Sequence, residues 1–361
     1  MCYRCIEIII NFDDRDDKMF NVLVLGISGN VSQGILKAIR QSNMECRIIG
    51  ACVNVNTVGD LWCDAVYESP YANSVAFIPW LVELCNKENI SILLTGVEEN
   101  LLAISQNIEV LKKETRTVFI VSEYEKLLIG QDKFLTCEWL KKSNFNYPLY
   151  VDASNKDEVV ALGRTIGYPL IAKPKNGKGS RGVFLIRSEE EAKQVDFREN
   201  YVVQQCIGNS DSEYTVGCYM DKKGNSVEPI VMHRWLSNGA TWKAEVVNNQ
   251  KIKEECLRIC EAFRPMGPMN IQLRLDENGT PIPFELNIRF SGTTPMRNRF
   301  GFCDVVAAIK EYLYDEEIDN CFCIYPGVAY RYINEAYEFF EDEKKSNKSL
   351  EIDRTLEEDA K

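Results

Sequence analysis

From Pro283 to Gly292 the chain reads Pro-Phe-Glu-Leu-Asn-Ile-Arg-Phe-Ser-Gly, a run that alternates apolar and polar residues. Side chains two apart on a strand share a side. A strand here sets Glu285, Asn287 and Arg289 on one face, and turns Phe284, Leu286, Ile288 and Phe290 toward a core. A carboxylate and an amide offer the hard oxygens that a divalent cation takes, and a guanidinium beside them suits phosphate oxygens. The chemistry in outline is that of a metal-bound phosphate. Alternation is also the ordinary pattern of a half-buried strand. Taken alone, the run reads equally well as an amphipathic strand with a solvated polar face.

Binding a triphosphate also takes backbone N–H groups that approach closely and cations on the phosphate oxygens. Gly177, Gly179 and Gly182, with Ser180 among them, make a loop of that kind; Lys178 and Arg181 charge it, and Lys173 ends the strand before it. A surface hairpin with basic decoration would have the same composition. Residues 270–275 and 282–290 flank a turn at 276–279, and a register pairing Leu275 with Ile282 sets Gln272 opposite Glu285. Gln272, Glu285 and Asn287 then form an oxygen set suited to Mg2+, with Mn2+ as an alternative, while Arg289 stabilises charge developing in phosphoryl transfer. No Gly-x-x-x-x-Gly-Lys-Ser/Thr run occurs, which excludes a P-loop enzyme.

The elements that must carry these groups fall into two styles. Strand 22–25, the glycine turn from Gly26 to Gly34 and a helix through Ile35, Ala38 and Ile39 open an α/β unit. Strands at 47–53, 92–95 and 117–121 alternate with helices at 77–85 and 101–111, so a parallel-sheet domain is expected to end near Val121. The glycine spacing is not Gly-x-Gly-x-x-Gly, and no acid follows the second strand, so a dinucleotide is not implied. Helices at 123–142 lead to a capping-box-like start at 154–157 for a helix reaching Gly167. A hairpin of strands 168–174 and 183–186 encloses the glycine loop; a helix opens at Ser188 with Glu191. Strands 201–206, 213–220 and 227–235, a helix at 251–263 and the hairpin 270–290 complete an α+β unit.

Composition narrows the function further. With 361 residues and a formal charge of -12, the surface as a whole does not attract nucleic acid or acidic membrane. Fourteen cysteines without a dense short framework read as reduced thiols in a cytoplasmic protein, and the single histidine, His233, leaves little room for a zinc site or a Ser-His-Asp triad. No apolar run approaches the ~18 residues of a membrane helix. Residues 1–18 lack a small-residue cleavage site and read as an extension, while 341–361 read as a charged, solvated tail.

Asp132-Lys133, the 168–174 strand, Gly177 to Gly182, Val202 to Ile207, Glu213 to Val216, Asn270-Ile271-Gln272 and Glu285 to Arg289 occur in an order that resembles the ATP-grasp superfamily, most of all the branch similar to the carbamoyl phosphate synthase large subunit, over about residues 20–333. The resemblance implies a Rossmann-like domain at 19–122 and an ATP-grasp domain at 123–340, with a smaller lid lobe at about 152–207. It implies that Lys133 and Lys173 contact ATP phosphates, that Gly177, Gly179, Ser180 and Gly182 close over them, and that Gln204, Gln205, Cys206 and Ile207 hold adenine. Glu213 would take the ribose, Asn270 would belong to the nucleotide site, Gln272, Glu285 and Asn287 would hold the metal, and Arg289 would join Lys173 in catalysis. Three positions depart from the family pattern: Gln204 where glutamate is common, Gly217 where an acid is common, and Ile288 where proline is usual.

The implied activity is an ATP- and Mg-dependent ligase that activates a carboxylate as an acyl phosphate and joins it to an amine or similar nucleophile. Its partners would be small-molecule carboxylate and nucleophile substrates, with no nucleic acid and no membrane, and a homodimer is compatible with it. A carbamate-type phosphotransferase and a nucleotide-binding module without chemistry are the alternatives. Glu98 and Glu99 follow a strand end that could face an acceptor; Arg234, Lys243 and Arg297 are candidate carboxylate or acyl-phosphate contacts, and His233 a candidate acid or base.

Overall fold

A computed structural model describes residues 19–177, 179–196, 200–337, 339–341 and 345–347. Lys178 of the glycine loop, the 1–18 extension and most of the charged tail lie outside the described residues.

The N-terminal part is built on strands β1 (Phe20–Leu25), β2 (Cys46–Cys52), β3 (Ala65–Glu68), β4 (Ile92–Thr95) and β5 (Val118–Phe119), all parallel, in the order β3-β2-β1-β4-β5. Val22, Leu23 and Val24 have no exposure, as expected of a parallel strand covered on both faces. Helices α1 (Asn30–Gln41) and α2 (Phe77–Lys87) lie between the strands. The turn into α1 needs glycine at its start: Gly26 has φ +72°, and a Cβ there would lie 2.2 Å from Val97 Cγ2. The single helix expected at 101–111 is two, α3 (Glu98–Gln106) and α4 (Ile108–Glu114), because Asn107 leaves the helical conformation and donates its side-chain amide to Ala103 O at 2.9 Å.

Helices α5 (Tyr124–Gln131) and α6 (Lys133–Lys142) are separated at Asp132, whose carboxylate accepts from the N–H groups of Phe134 (2.7 Å) and Leu135 (3.1 Å). Such a cap stabilises a helix start by about 1 kcal/mol. It also fixes Lys133 at the first helical position, aimed at the glycine loop.

The smaller lobe is an antiparallel sheet of β6 (Tyr150–Asp152), β7 (Leu170–Pro174), β8 (Phe184–Ile186) and β9 (Tyr201–Gln205) in the order β6-β9-β7-β8. β7 and β8 pair Leu170 with Ile186 and Ala172 with Phe184, so the glycine loop does join a hairpin. Helices α7 (Lys156–Ile166) and α8 (Glu189–Gln194) cover the sheet over a separate core of Val159, Leu170, Ala172, Ile186 and Val203. The cap of α7 is Asn155, one residue beyond the expected Ser154, whose N–H instead turns back to Asp152 Oδ1 at 3.0 Å. Ser188 caps α8 as expected.

The larger lobe is a second antiparallel sheet, of β10 (Glu213–Met220), β11 (Ile230–Ser237), β12 (Ala240–Val246), β13 (Gly267–Leu275), β14 (Pro281–Asn287) and β15 (Val328–Tyr330), ordered β14-β13-β10-β11-β12-β15. Helices α9 (Gln250–Phe263), α10 (Thr294–Arg299) and α11 (Asp304–Tyr314) follow the strands.

The β13–β14 pairing corrects the expected register near the turn: Leu275 faces Pro281, not Ile282. A bulge beside Gln272 and Leu273 then absorbs one residue of β14, so that Gln272 lies opposite Glu285 and Asn270 opposite Asn287 after all. The pleat changes phase there. Leu286, Ile288 and Phe290 are buried as expected, but Phe284 is not a core residue; it lines the cleft. Among the described residues no helix is long and apolar enough to cross a membrane.

Candidate active site

Two adjoining cavities, of about 210 and 330 Å3, open between the lobes and the N-terminal sheet. Lys133, Gly177, Gly179, Arg234, Gly239, Gln272 and Glu285 line both. The first cavity is completed by Lys173, Ser180, Gln204, Gln205, Cys206, Ile207, Glu213, Arg274 and Phe284. Asn270, Asn287, Arg289, Glu98 and the first residues of α1 complete the second. Every residue that the resemblance assigned to the nucleotide or the metal, apart from Gly182, thus lines one cavity or the other.

The oxygen set sits on the shared wall. Glu285 Oε1 accepts from the amides of Gln272 (3.1 Å) and Asn287 (3.0 Å), which flank it across and along the sheet. The amide oxygens in turn accept from guanidinium groups: Gln272 Oε1 from Arg234 Nη2 at 2.6 Å, and Asn287 Oδ1 from Arg289 Nη2 at 2.9 Å. A half-turn of each terminal amide, a soft torsion, would present both oxygens beside the carboxylate. One carboxylate and two amide oxygens suit a magnesium ion that keeps phosphate oxygens among its ligands, because Mg2+ takes few protein carboxylates in such sites. Arg289 is also held by Glu98 from the N-terminal part, at 2.5 Å from Nη2 and 3.1 Å from Nε.

Cations and loop close the first cavity from the smaller lobe. Lys173 Nζ lies 4.6 Å from the centre of the Phe284 ring. Burial pushes the Lys173 ammonium down to about 8, against the opposing pull of Glu285 and with help from Lys133. Lys133 Nζ donates to the carbonyl of Gly177 at 2.8 Å, and its backbone N–H donates to Lys175 O. The tip of the glycine loop meets the β11–β12 turn: a Cβ on Gly239, at φ +74°, would lie 2.2 Å from Gly179 O. The loop lies over the cavity against the opposite lobe.

On the hinge side, Gln204 has no exposure; its Nε2 lies 3.1 Å from Cys137 Sγ, and its Oε1 has no hydrogen-bond partner. A buried amide oxygen without a donor costs about 1–3 kcal/mol, and this one belongs to a residue lining the cavity, where an exocyclic amine would satisfy it. Gln205 is tied on both sides to Leu149, donating its backbone N–H at 2.7 Å and accepting through Oε1 at 3.3 Å. Ile207 O accepts from Arg274 Nη1 at 3.2 Å. Glu213, 5% exposed, is gripped from two sides, by Arg234 (2.6 Å) and by Arg274 (2.7 Å). Burial would raise its carboxyl pKa, but the two arginines prevail and hold it below the ordinary range.

Several candidates stand elsewhere. His233 lines neither cavity; its ring stacks on Tyr214 and lies tilted against Trp235, and Nε2 lies 2.7 Å from Asp211 O. Lys243 lies over the rings of Trp235 and Tyr330. Arg297 is 1% exposed, bonds Ser291 Oγ through Nη2, and has Asp304 at 3.7 Å. Its Nη1 would lie 2.2 Å from a Cβ on Gly217, so the guanidinium occupies the space that a side chain at this position would need. Glu98 lies in the second cavity, whereas Glu99 does not line it.

Arg274 was not nominated from sequence, though it stands two residues from Gln272 on β13 and so shares its face. Arg331 also lines the second cavity, carried there by β15, a strand too short to read. Phe284 was assigned to the wrong side because no sequence signal marked the bulge.

Two lobes clasping a glycine loop, preceded by a parallel sheet, make an architecture of the ATP-grasp kind. Residues 130–293 match the model of the ATP-grasp domain. Among curated relatives, the carbamoyl phosphate synthase large chain of Pyrococcus furiosus is 25% identical over 289 residues, 73% of this chain and 26% of the relative. That of Saccharolobus solfataricus is 22% identical over 208 residues, 52% of this chain and 19% of the relative. The chain thus spans about a quarter or less of their length. Among solved structures, N5-carboxyaminoimidazole synthetase of Staphylococcus aureus superposes with a TM-score of 0.65 at 11% identity, covering 88% of this chain and 82% of that one. The biotin carboxylase domain of Hydrogenobacter thermophilus 2-oxoglutarate carboxylase, complexed with MgADP, ADP and bicarbonate, gives 0.65 at 15% identity, covering 84% and 71%. These likenesses concern the fold, which is α/β with a parallel N-terminal sheet and antiparallel sheets beyond it.

Proposed function

We propose that the chain is an ATP- and magnesium-dependent ligase that activates a carboxylate as an acyl phosphate, releasing ADP, and passes the acyl group to an amine or similar nucleophile, releasing phosphate. The observation that carries this reading is the position of Gln272 and Glu285 on the wall common to both cavities. A nucleotide in the first cavity directs its terminal phosphate at that wall, and an acceptor in the second meets it from the other side. Adenine sits beside Gln204 to Ile207 and the Phe284 ring, with its amino group on Gln204 Oε1. The ribose lies near Glu213, and the phosphates lie on Lys133, Lys173 and the glycine loop. Glu285, with Gln272 and Asn287, would hold a magnesium ion, which would supply positive charge against the terminal phosphates. Arg289, released from Glu98 or shared with it, stabilises negative charge on the transferring group. Closure of the loop against the β11–β12 turn keeps water from an acyl phosphate.

Glu285→Ala should abolish magnesium-dependent ADP formation while the melting temperature and circular dichroism stay close to the parent. Undiminished turnover in that variant would remove the assignment. The synthases among the relatives suggest a phosphotransferase as a second reading. A ligase releases little ADP until both carboxylate and nucleophile are supplied, whereas a phosphotransferase needs no nucleophile.

A further inference from the structure

Gln204 sits in the wall of the first cavity with no exposure of its own. Its backbone lies between Tyr150 of β6 and Ile171 of β7, and Ile171 and Lys173 line the same cavity. Beside it runs α6, where Lys133 and Cys137 lie one turn apart on a single face, both buried. Lys133 reaches the glycine loop at Gly177 O, and Cys137 Sγ accepts from Gln204 Nε2 at 3.1 Å. The other end of that amide, Oε1, is buried and has no hydrogen-bond partner among the described residues. A half-turn of a terminal amide is a soft torsion, so the contact with sulfur is what distinguishes the two ends of this one. In the reverse orientation the carbonyl would rest on a thiol, which is a weak donor. Two N–H groups would then face a cavity that Lys133, Lys173 and Arg274 already line. Burial pushes the Cys137 thiol up to about 12, so the group stays neutral at physiological pH.

We infer that Cys137 is a positioning residue for base selection: by holding Gln204 Nε2 it keeps Oε1 toward the cavity, which therefore takes a 6-aminopurine nucleotide and rejects a 6-oxopurine one. The inference rests on the reading of the first cavity as the nucleotide site. A 6-amino group donates to Oε1 and supplies the partner it lacks. A 6-oxo group brings a second acceptor against it, and neither oxygen then has a donor. Cys137 does not line the cavity, so its effect on the base passes through the amide.

The test is calorimetric titration of the full chain with ADP and with IDP, which carry the same phosphates and differ at the 6-position and N1 of the base. The parent should prefer ADP by about tenfold to a hundredfold, as one buried acceptor left without a donor requires. Cys137→Ala frees the amide to turn, and should lower that preference about fivefold or more, chiefly by admitting IDP. Cys137→Val, which fills the space of the thiol without an acceptor, should act in the same direction and serves if Cys137→Ala lowers the melting temperature. In a Gln204→Leu background, Cys137→Ala should change the ratio by less than about twofold, because no amide remains to be oriented. A merely structural role for Cys137 would weaken both nucleotides alike. A parent that binds ADP and IDP equally, a ratio that neither Cys137 variant moves, or a shift of the same size in the Gln204→Leu background overturns the inference. Each of these leaves ADP bound and the nucleotide reading standing, whereas failure of both nucleotides to bind the parent would remove that reading and this inference with it.

Discussion

If ATP binds as proposed, Lys173 should make its binding a proton-linked event. Its ammonium titrates at about 8 because burial disfavours the charge, with Lys133 adding repulsion. Triphosphate oxygens supply the missing counter-charge, so in the complex the group should return to its ordinary value of 10.5 or above. At pH 7 the free protein already holds most of this proton, and binding costs almost nothing on this account. At pH 9 it holds about a tenth, and binding should take up about 0.9 proton. Between pH 7 and 9.5 the affinity should fall about thirtyfold, close to 2 kcal/mol. The sign is opposite for the stability of the unliganded protein. Across about pH 8 to 10.5 the unfolded chain binds the proton that the folded one gives up, so stability rises with pH there. Titration calorimetry at pH 9 in buffers of different ionisation enthalpy reads the proton directly. Lys173→Arg should flatten the affinity profile, since a guanidinium keeps its charge throughout, and Lys173→Met should lose both the affinity and the uptake. Absence of proton uptake at pH 9 in the unaltered protein, or uptake that persists in Lys173→Met, would refute the reasoning.

Removing the carboxylate of Glu213 leaves Arg234 and Arg274 facing each other at a buried site, so Glu213→Ala should cost about 3–5 kcal/mol in denaturant unfolding. The native pair stabilises above the ordinary carboxyl pKa and is lost as pH falls through the lowered one, so in acid the parent should approach the variant. Gly239→Ala places a Cβ against Gly179 O and at a positive φ; turnover should fall about a hundredfold, while unfolding shifts by only about 1–2 kcal/mol, the scale of a Cβ held at a positive φ. An equal loss of stability and activity would count against a closing role for that contact.

The parallel sheet was legible because strands such as 22–25 are apolar throughout and separated by helical periods. The hairpin carrying Gln272 and Glu285 was legible because two alternating runs flank an Asn-Gly turn. The ion-pair web was not. Arg234 and Arg274 converge on Glu213 only through the pairing of β11, β10 and β13, which no local pattern announces. The short strands β6 and β15 carry too few residues to show a period, and with β15 went Arg331. Asn107 was read through as helix because its competing side-chain bond acts one turn back, below the resolution of an apolar count.

The bulge in β14 places two consecutive residues, Phe284 and Glu285, on the same cavity wall. A regular pleat would separate neighbours on one face by two residues, nearly 7 Å. Deleting a residue at this point would give a more regular ladder, and by that measure a better-behaved sheet. It would also force a choice between an aromatic surface for a purine and an oxygen ligand for its phosphates. Sequence changes that tidy this strand are therefore expected to trade catalytic competence for stability, and insertions or deletions here are more damaging than substitutions of similar size.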